Sequence, residues 1–130
     1  MKTRTHLMFD GDAEAAMDLY TSVFPGAEIL EVEKYGPGEP GEEGSVKQAR
    51  FSLAGQEFLC IDSPAKHDFG FTPSISIFVD CESEGELEQL FGQLAEGGAV
   101  LMPLDDYGFS RRFGWLNDRF GVSWQMNLPH

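Results

Sequence analysis

Asp62, His67, Cys60 and the pair Arg111 and Arg112 are the side chains of this sequence with the most obvious chemistry. Asp62 closes an apolar run, where desolvation would raise its pKa and make it a general acid or base; at a strand end facing water it would merely cap the next turn. His67 stands beside Asp68 and could take a proton near neutral pH, although a histidine in a loop is commonly just solvated. Cys60 and Cys81 are the only cysteines, in or beside apolar segments and without C-x-x-C spacing, so they read as buried free thiols of a reducing cytoplasm. Arg111 and Arg112 could anchor an anionic group or balance nearby glutamates. Trp115, Trp124 and Phe113 could offer ring faces to a cation or fill a core.

Elements with two different periodicities must position these groups. Arg4 to Asp10 reads as a short strand, and Gly11-Asp12 breaks it where Asp12 can cap a helix. Ala13, Ala16, Met17, Tyr20, Val23 and Phe24 recur at three- and four-residue spacing until Pro25-Gly26. Glu28 to Tyr35 is a strand, followed by an exposed, mobile Gly/Pro/Glu loop from Gly36 to Gly41. Val46 to Leu53 and Gln56 to Asp62 flank Ala54-Gly55, a two-residue hairpin turn. After a loop over Ser63 to Pro73 the same grammar restarts: a strand over Ser74 to Asp80, then Ser83 and Glu86 at capping-box spacing. Leu87, Leu90, Phe91 and Leu94 form the second apolar stripe, stopped by Gly97-Gly98. Ala99 to Met102, Phe109 to Leu116 and Val122 to Leu128 supply three more strands, the last two joined through Asn117 to Gly121.

The predicted fold is therefore α+β, with two tandem βαβββ modules at about 1–62 and 74–130 in a single domain. Curved mixed sheets with helices on their outer sides would enclose a cleft, where small ligands bind in most folds. At 130 residues the chain suits one domain, and 42% hydrophobic with 12% aromatic residues is ample for a packed core. Nine Lys plus Arg against 22 Asp plus Glu, a formal charge of -13, would repel phosphate backbones and anionic lipids, which argues against nucleic acid and membrane as partners. No stretch approaches the length of a membrane span, and a cytoplasmic protein is expected.

Leu7-Met8-Phe9-Asp10-Gly11 with Ala13 to Tyr20 resembles the opening of the glyoxalase/bleomycin-resistance/dioxygenase, or vicinal oxygen chelate, superfamily. Phe71 to Val79 resembles the middle strand of its PhnB-like branch, and Gly114 to Gln125 that branch's closing signature. The resemblance implies a homodimer, and in metal-using members a divalent ion held by one side chain from the first and last strand of each module, commonly His, Glu, His and Glu. Carried onto this chain, those positions fall on Thr5, on Phe58 or Cys60, on Ser74 and on Gln125. Neutral hydroxyl, thiol and amide groups lack the charge and basicity that Zn²⁺ or Ni²⁺ draws from imidazole and carboxylate, so neither a metal nor another cofactor is expected. A weak site would need His6 or Asp62, and His6 only after a one-residue slip that turns its whole strand over.

Members of the branch are often described as ubiquinone-pathway methyltransferases. An adenosyl-type methyl donor commonly sits on a Gly-rich strand-to-helix turn of a doubly wound sheet, and the only Gly-x-Gly here is Gly36-Pro37-Gly38 in an acidic loop. What remains is a small-molecule-binding protein or metal-independent enzyme. Its expected cleft is lined by Thr5, Leu7, Cys60, Asp62, Ser74, Ser76, Trp115, Ser123, Gln125 and Asn127, with Asp62 and His67 as the weak catalytic candidates. The alternatives are a metal-dependent lyase, isomerase or dioxygenase, and a non-catalytic binder that sequesters a cationic drug.

Overall fold

Strand β1 (Thr5–Phe9) runs into Gly11, whose φ of +96° turns the backbone into helix α1 (Ala13–Val23). The computed structural model describes residues 1–130. Ala13, Ala16, Met17, Tyr20 and Val23 bury one face of α1, as their spacing requires. The expected cap, Asp12, makes no side-chain capping bond. The carboxylate of Asp62 substitutes for it from across the unit: Oδ1 accepts from the backbone N–H of Gly11 at 2.9 Å and of Ala13 at 3.0 Å. A fixed carboxylate from a neighbouring strand satisfies the orphan donors of a helix start as well as a local side chain would.

Strands β2 (Glu28–Lys34), β3 (Val46–Leu53) and β4 (Gln56–Asp62) complete the first sheet in the order β1-β4-β3-β2, with β1 parallel to β4 and the other pairs antiparallel. The β3–β4 turn is the expected two-residue one: Ala54 and Gly55 both have positive φ, and Leu53 pairs with Gln56. The Gly36–Gly41 loop is tied at its base, where Tyr35 N–H donates to Ser45 O at 2.9 Å and Gly44 N–H to Tyr35 O at 3.0 Å. The buried Tyr35 ring lies so close to Gly41 that a Cβ there would overlap it.

The second unit, Phe69–His130, repeats the topology as the first, Met1–Asp68, lays it out. β5 (Ile77–Asp80), α2 (Glu84–Ala95), β6 (Ala99–Asp105), β7 (Arg112–Asn117) and β8 (Ser123–Leu128) form a sheet ordered β5-β8-β7-β6, with β5 parallel to β8. The capping box is present: Ser83 Oγ accepts from Glu86 N–H at 3.1 Å, and Glu86 Oε1 accepts from the N–H of Glu82 at 3.1 Å. Each of these helices covers one face of its own sheet.

Three expected strand limits are corrected. The strand expected from Ser74 starts at Ile77, because residues 73–75 form a turn in which the Thr72 and Ser74 hydroxyls bond at 2.7 Å. The strand expected from Phe109 starts at Arg112, because Asp106 Oδ1 accepts from Gly108 N–H at 2.8 Å and Gly108 takes a φ of +100°. β6 continues past Met102 to Asp105 through Pro103, which an edge strand with register shifts tolerates.

Candidate functional site

Pairing fixes which side chains share a sheet face, and the two sheets differ from expectation in opposite ways. In the first, Thr5 pairs with Phe58, Leu7 with Cys60 and Phe9 with Asp62, while Phe51 pairs with Phe58. Phe51 stacks on Phe58 at 5.1 Å between ring centroids and meets Tyr20 of α1 at 6.1 Å, so this is the helix face. Thr5, Leu7, Cys60 and Asp62 therefore belong to the face under α1, and the expectation that they line a ligand cleft is corrected. His6, Met8, Leu59 and Ile61 alternate with them on the opposite face, and His6 reaches it without any slip.

Asp62 is buried and fully engaged. Besides its two bonds to the start of α1, its Oδ2 accepts from Val46 N–H at 2.9 Å, so one carboxylate joins α1, β3 and β4. That is a structural clamp and leaves no role as proton carrier. His67 sits in an exposed segment with its Nε2 2.9 Å from Ser63 Oγ. Burial, with a smaller contribution from Asp62, pushes the Cys60 thiol up to about 12; burial first, then Glu86 and Asp80, pushes Cys81 to about 11. Both thiols are protonated and inert at neutral pH. Ellman's reagent is expected to modify neither in the native protein at pH 8 and both after denaturation; rapid native labelling of one would contradict this burial. Because the folded values are raised, the two thiols contribute stability that is complete below the unfolded cysteine pKa, roughly 8.5, and fades as pH rises through the folded values.

On the first sheet's other face, Glu57 accepts from Arg50 at 2.8 Å, Lys2 at 3.0 Å and Arg4 at 3.4 Å. The bonds from Arg50, foremost, and Lys2 hold its carboxyl down to about 2. Arg112 is likewise occupied, by Glu84 at 2.7 Å and Glu88 at 2.6 Å on α2, and Arg111 lies 3.9 Å from Glu84. The arginine pair serves the helix and is not held ready for an anion.

In the second sheet the expected residues do converge. Gly114, Leu116, Trp124, Met126 and Leu128 take the face under α2, where a Cβ on Gly114 would strike Phe91. The opposite face carries rows running across the strands. Ser76 and Ser123 share a 2.7 Å hydroxyl bond, and Asn117 pairs with Ser123. Phe78, Gln125, Trp115 and Met102 form the next row; Asp80, Asn127, Phe113 and Asp105 the third. Trp115 Nε1 donates to Ser123 Oγ at 2.8 Å and Gln125 Nε2 to Ser76 Oγ at 3.2 Å, so four of the expected residues form one hydrogen-bonded group. Trp124 is not a platform: it is fully buried, and its Nε1 donates to Asp118 Oδ2 at 2.9 Å. Ser74 lies in the exposed turn before β5 and outside the group.

Phe113 borders this group and is packed by rings that sequence reasoning missed. Phe109 meets it edge-on at 5.0 Å, Tyr107 at 6.2 Å and Phe78 at 6.3 Å. Phe78 is 53% exposed and Phe109 59%, unusual for rings in contact. The sequence signal was available in Tyr107-Gly108-Phe109, of which only Phe109 fell within an expected strand.

The donor set does not suit a divalent ion. No three His, Cys, Asp or Glu side chains converge anywhere in the chain, and the residues at the positions implied for ligands are divided among the helix-covered face of the first sheet, the other face of the second sheet and a turn. A methyl donor of the adenosyl type is equally ill-served. Gly36-Pro37-Gly38 lies between β2 and β3, where no helix follows, and neither sheet is doubly wound.

Comparison with known proteins places this geometry. Residues 1–127 match the model of the 3-demethylubiquinone-9 3-methyltransferase family. The PhnB protein of Bacillus cereus is 53% identical over 98% of this chain and 99% of that one, with a TM-score of 0.96. Protein PA1353 of Pseudomonas aeruginosa is 30% identical, covering 99% and 98%, with a TM-score of 0.88. A glyoxylase/bleomycin resistance protein/dioxygenase domain from Frankia, 18% identical over all of this chain and 92% of its own, shares the fold with a TM-score of 0.69.

Proposed function

Since this chain belongs to the 3-demethylubiquinone-9 3-methyltransferase family, a PhnB-like branch of the glyoxalase and bleomycin-resistance superfamily, we propose that it binds a small organic molecule without a resident metal ion. The site is the face of the second sheet away from α2. One observation carries the reading: Ser76, Ser123, Gln125 and Trp115 form a neutral hydrogen-bonded floor beside the Phe78, Tyr107, Phe109 and Phe113 rings. Apolar walls around a few convergent polar groups are the usual make-up of a small-ligand site.

The floor offers hydroxyls, an amide and an indole, none of which gains or loses a proton readily near neutral pH, which favours binding over turnover as its activity. Membership of the family also supports a homodimer, with a cytoplasmic setting for its two reduced thiols.

Trp115 reports on the site. Titration with small aromatic amides and phenols is expected to change its fluorescence saturably, and the signal disappears in Trp115→Phe. Gln125→Ala weakens binding about tenfold, as loss of one or two ligand hydrogen bonds implies. Binding that appears only after addition of Zn²⁺ or Ni²⁺ would overturn the metal-independent reading.

A further inference from the structure

The third row of the same face has a chemistry of its own. Asp80, Asn127, Phe113 and Asp105 lie side by side across β5, β8, β7 and β6, so the carboxylates stand at its two ends, about 14 Å apart at the usual strand spacing. Asn127 is 7% exposed. It donates Nδ2 to Asp80 Oδ1 at 2.8 Å, which fixes the orientation of its amide. Its Oδ1 is then buried with no hydrogen-bond donor. A buried acceptor without a donor is destabilising and marks a place where a donor is missing.

The surroundings say which donor would fit. Phe78 and Phe109, both exposed, each meet the Phe113 ring, and ring faces attract cations. The second unit contains only three basic side chains, Arg111, Arg112 and Arg119, against nine acidic ones. The first two are paired with α2, and Arg119 lies in the β7–β8 connection, beside Gly97. None belongs to the row.

We infer that the Asp80–Asn127 end of this face takes the primary ammonium group of an organic ligand, which would donate to Asn127 Oδ1 while its charge faces Asp80 and the Phe78 and Phe113 rings. This rests on the proposed use of the face for small molecules and adds the chemical class. A quaternary ammonium has the charge without N–H donors, and an alcohol has a donor without the charge, so the row should discriminate against both.

The test is titration of the whole protein with benzylamine, benzyl alcohol and benzyltrimethylammonium at pH 7, followed by Trp115 fluorescence and by the Asn127 side-chain amide signals in NMR. Benzylamine is expected to bind at least about tenfold more tightly than either analogue and to shift the Asn127 signals. Asp80→Asn keeps an acceptor for Asn127 and lies on the surface; it should bring benzylamine to the level of the alcohol. Equal binding of all three, or an unchanged preference in Asp80→Asn, overturns the ammonium site while the face remains a binding surface. No binding by any of the three overturns the ammonium site, and failure of the phenols and aromatic amides as well overturns both readings.

Discussion

Replacing Asp62 with alanine is expected to lower the stability of the first unit by about 3–5 kcal/mol. The substitution strips partners from the N–H groups of Gly11, Ala13 and Val46 at once, and two of those three bonds are buried. Each buried donor left unmade costs roughly 1–3 kcal/mol, less at Gly11 where water can reach. That is a large share of the roughly 5–15 kcal/mol that keeps an ordinary domain folded. Asp62→Asn should be milder, since one oxygen can still serve the start of α1 while the new NH₂ opposes Val46 N–H. Urea unfolding followed by far-ultraviolet circular dichroism measures both, because both tryptophans lie in the second unit. A cost below about 1 kcal/mol for alanine, with ligand binding abolished, would return Asp62 to the list of functional groups.

Asp118→Ala is expected to cost the second unit about 3 kcal/mol, for a parallel reason. Asp118 Oδ1 accepts from the N–H groups of Phe120 and Val122 at 2.8 and 3.0 Å, and Oδ2 accepts from Trp124 Nε1 at 2.9 Å. The carboxylate thus closes the β7–β8 connection and satisfies an indole that has no access to water. Fluorescence of Trp124 in a Trp115→Phe background, followed through urea unfolding, gives the cost and reports the loss of the indole bond directly. An unchanged midpoint would show that the hairpin closes without it.

Much of the fold was legible because the two helices carry clean stripes and because glycine, proline and a capping box punctuate the chain. The candidate site was legible in only one of the two sheets, and the reason lies in strand β1. Its five residues put Leu7 and Phe9 on one face but Met8 on the other, so alternation alone does not say which face is buried. The resemblance placed Thr5 in a ligand position, and the paired strand was read to match.

Strand β3 held the decisive clue. Arg50 and Ser52 alternate with Phe51 and Leu53, and a two-residue turn at Ala54-Gly55 forces Phe51 opposite Phe58. Phe58 and Cys60 then share the apolar face, and Asp62 follows them under the helix. In β8, Ser123, Gln125 and Asn127 alternate with Trp124, Met126 and Leu128, and that unambiguous pattern placed the polar face correctly. The aromatic patch around Phe113 escaped notice because it depends on a turn at Gly108, just before the expected strand, which leaves Phe109 outside β7.

The Asp62 clamp also sets an order of events as the chain folds. Its bonds to Gly11 and Ala13 span 51 and 49 positions, and β4, which carries it, inserts between β1 and β3 although it is made last of the four. Until β4 arrives, β1 has no sheet neighbour and the start of α1 has no cap, so neither can settle early from local contacts. At a synthesis rate of about 5–20 residues per second, the nascent segment waits roughly 3–10 seconds with its apolar stripe uncovered. β8 has the same late, central place in the second unit, so each half of the protein is completed by its last strand closing a gap between earlier ones.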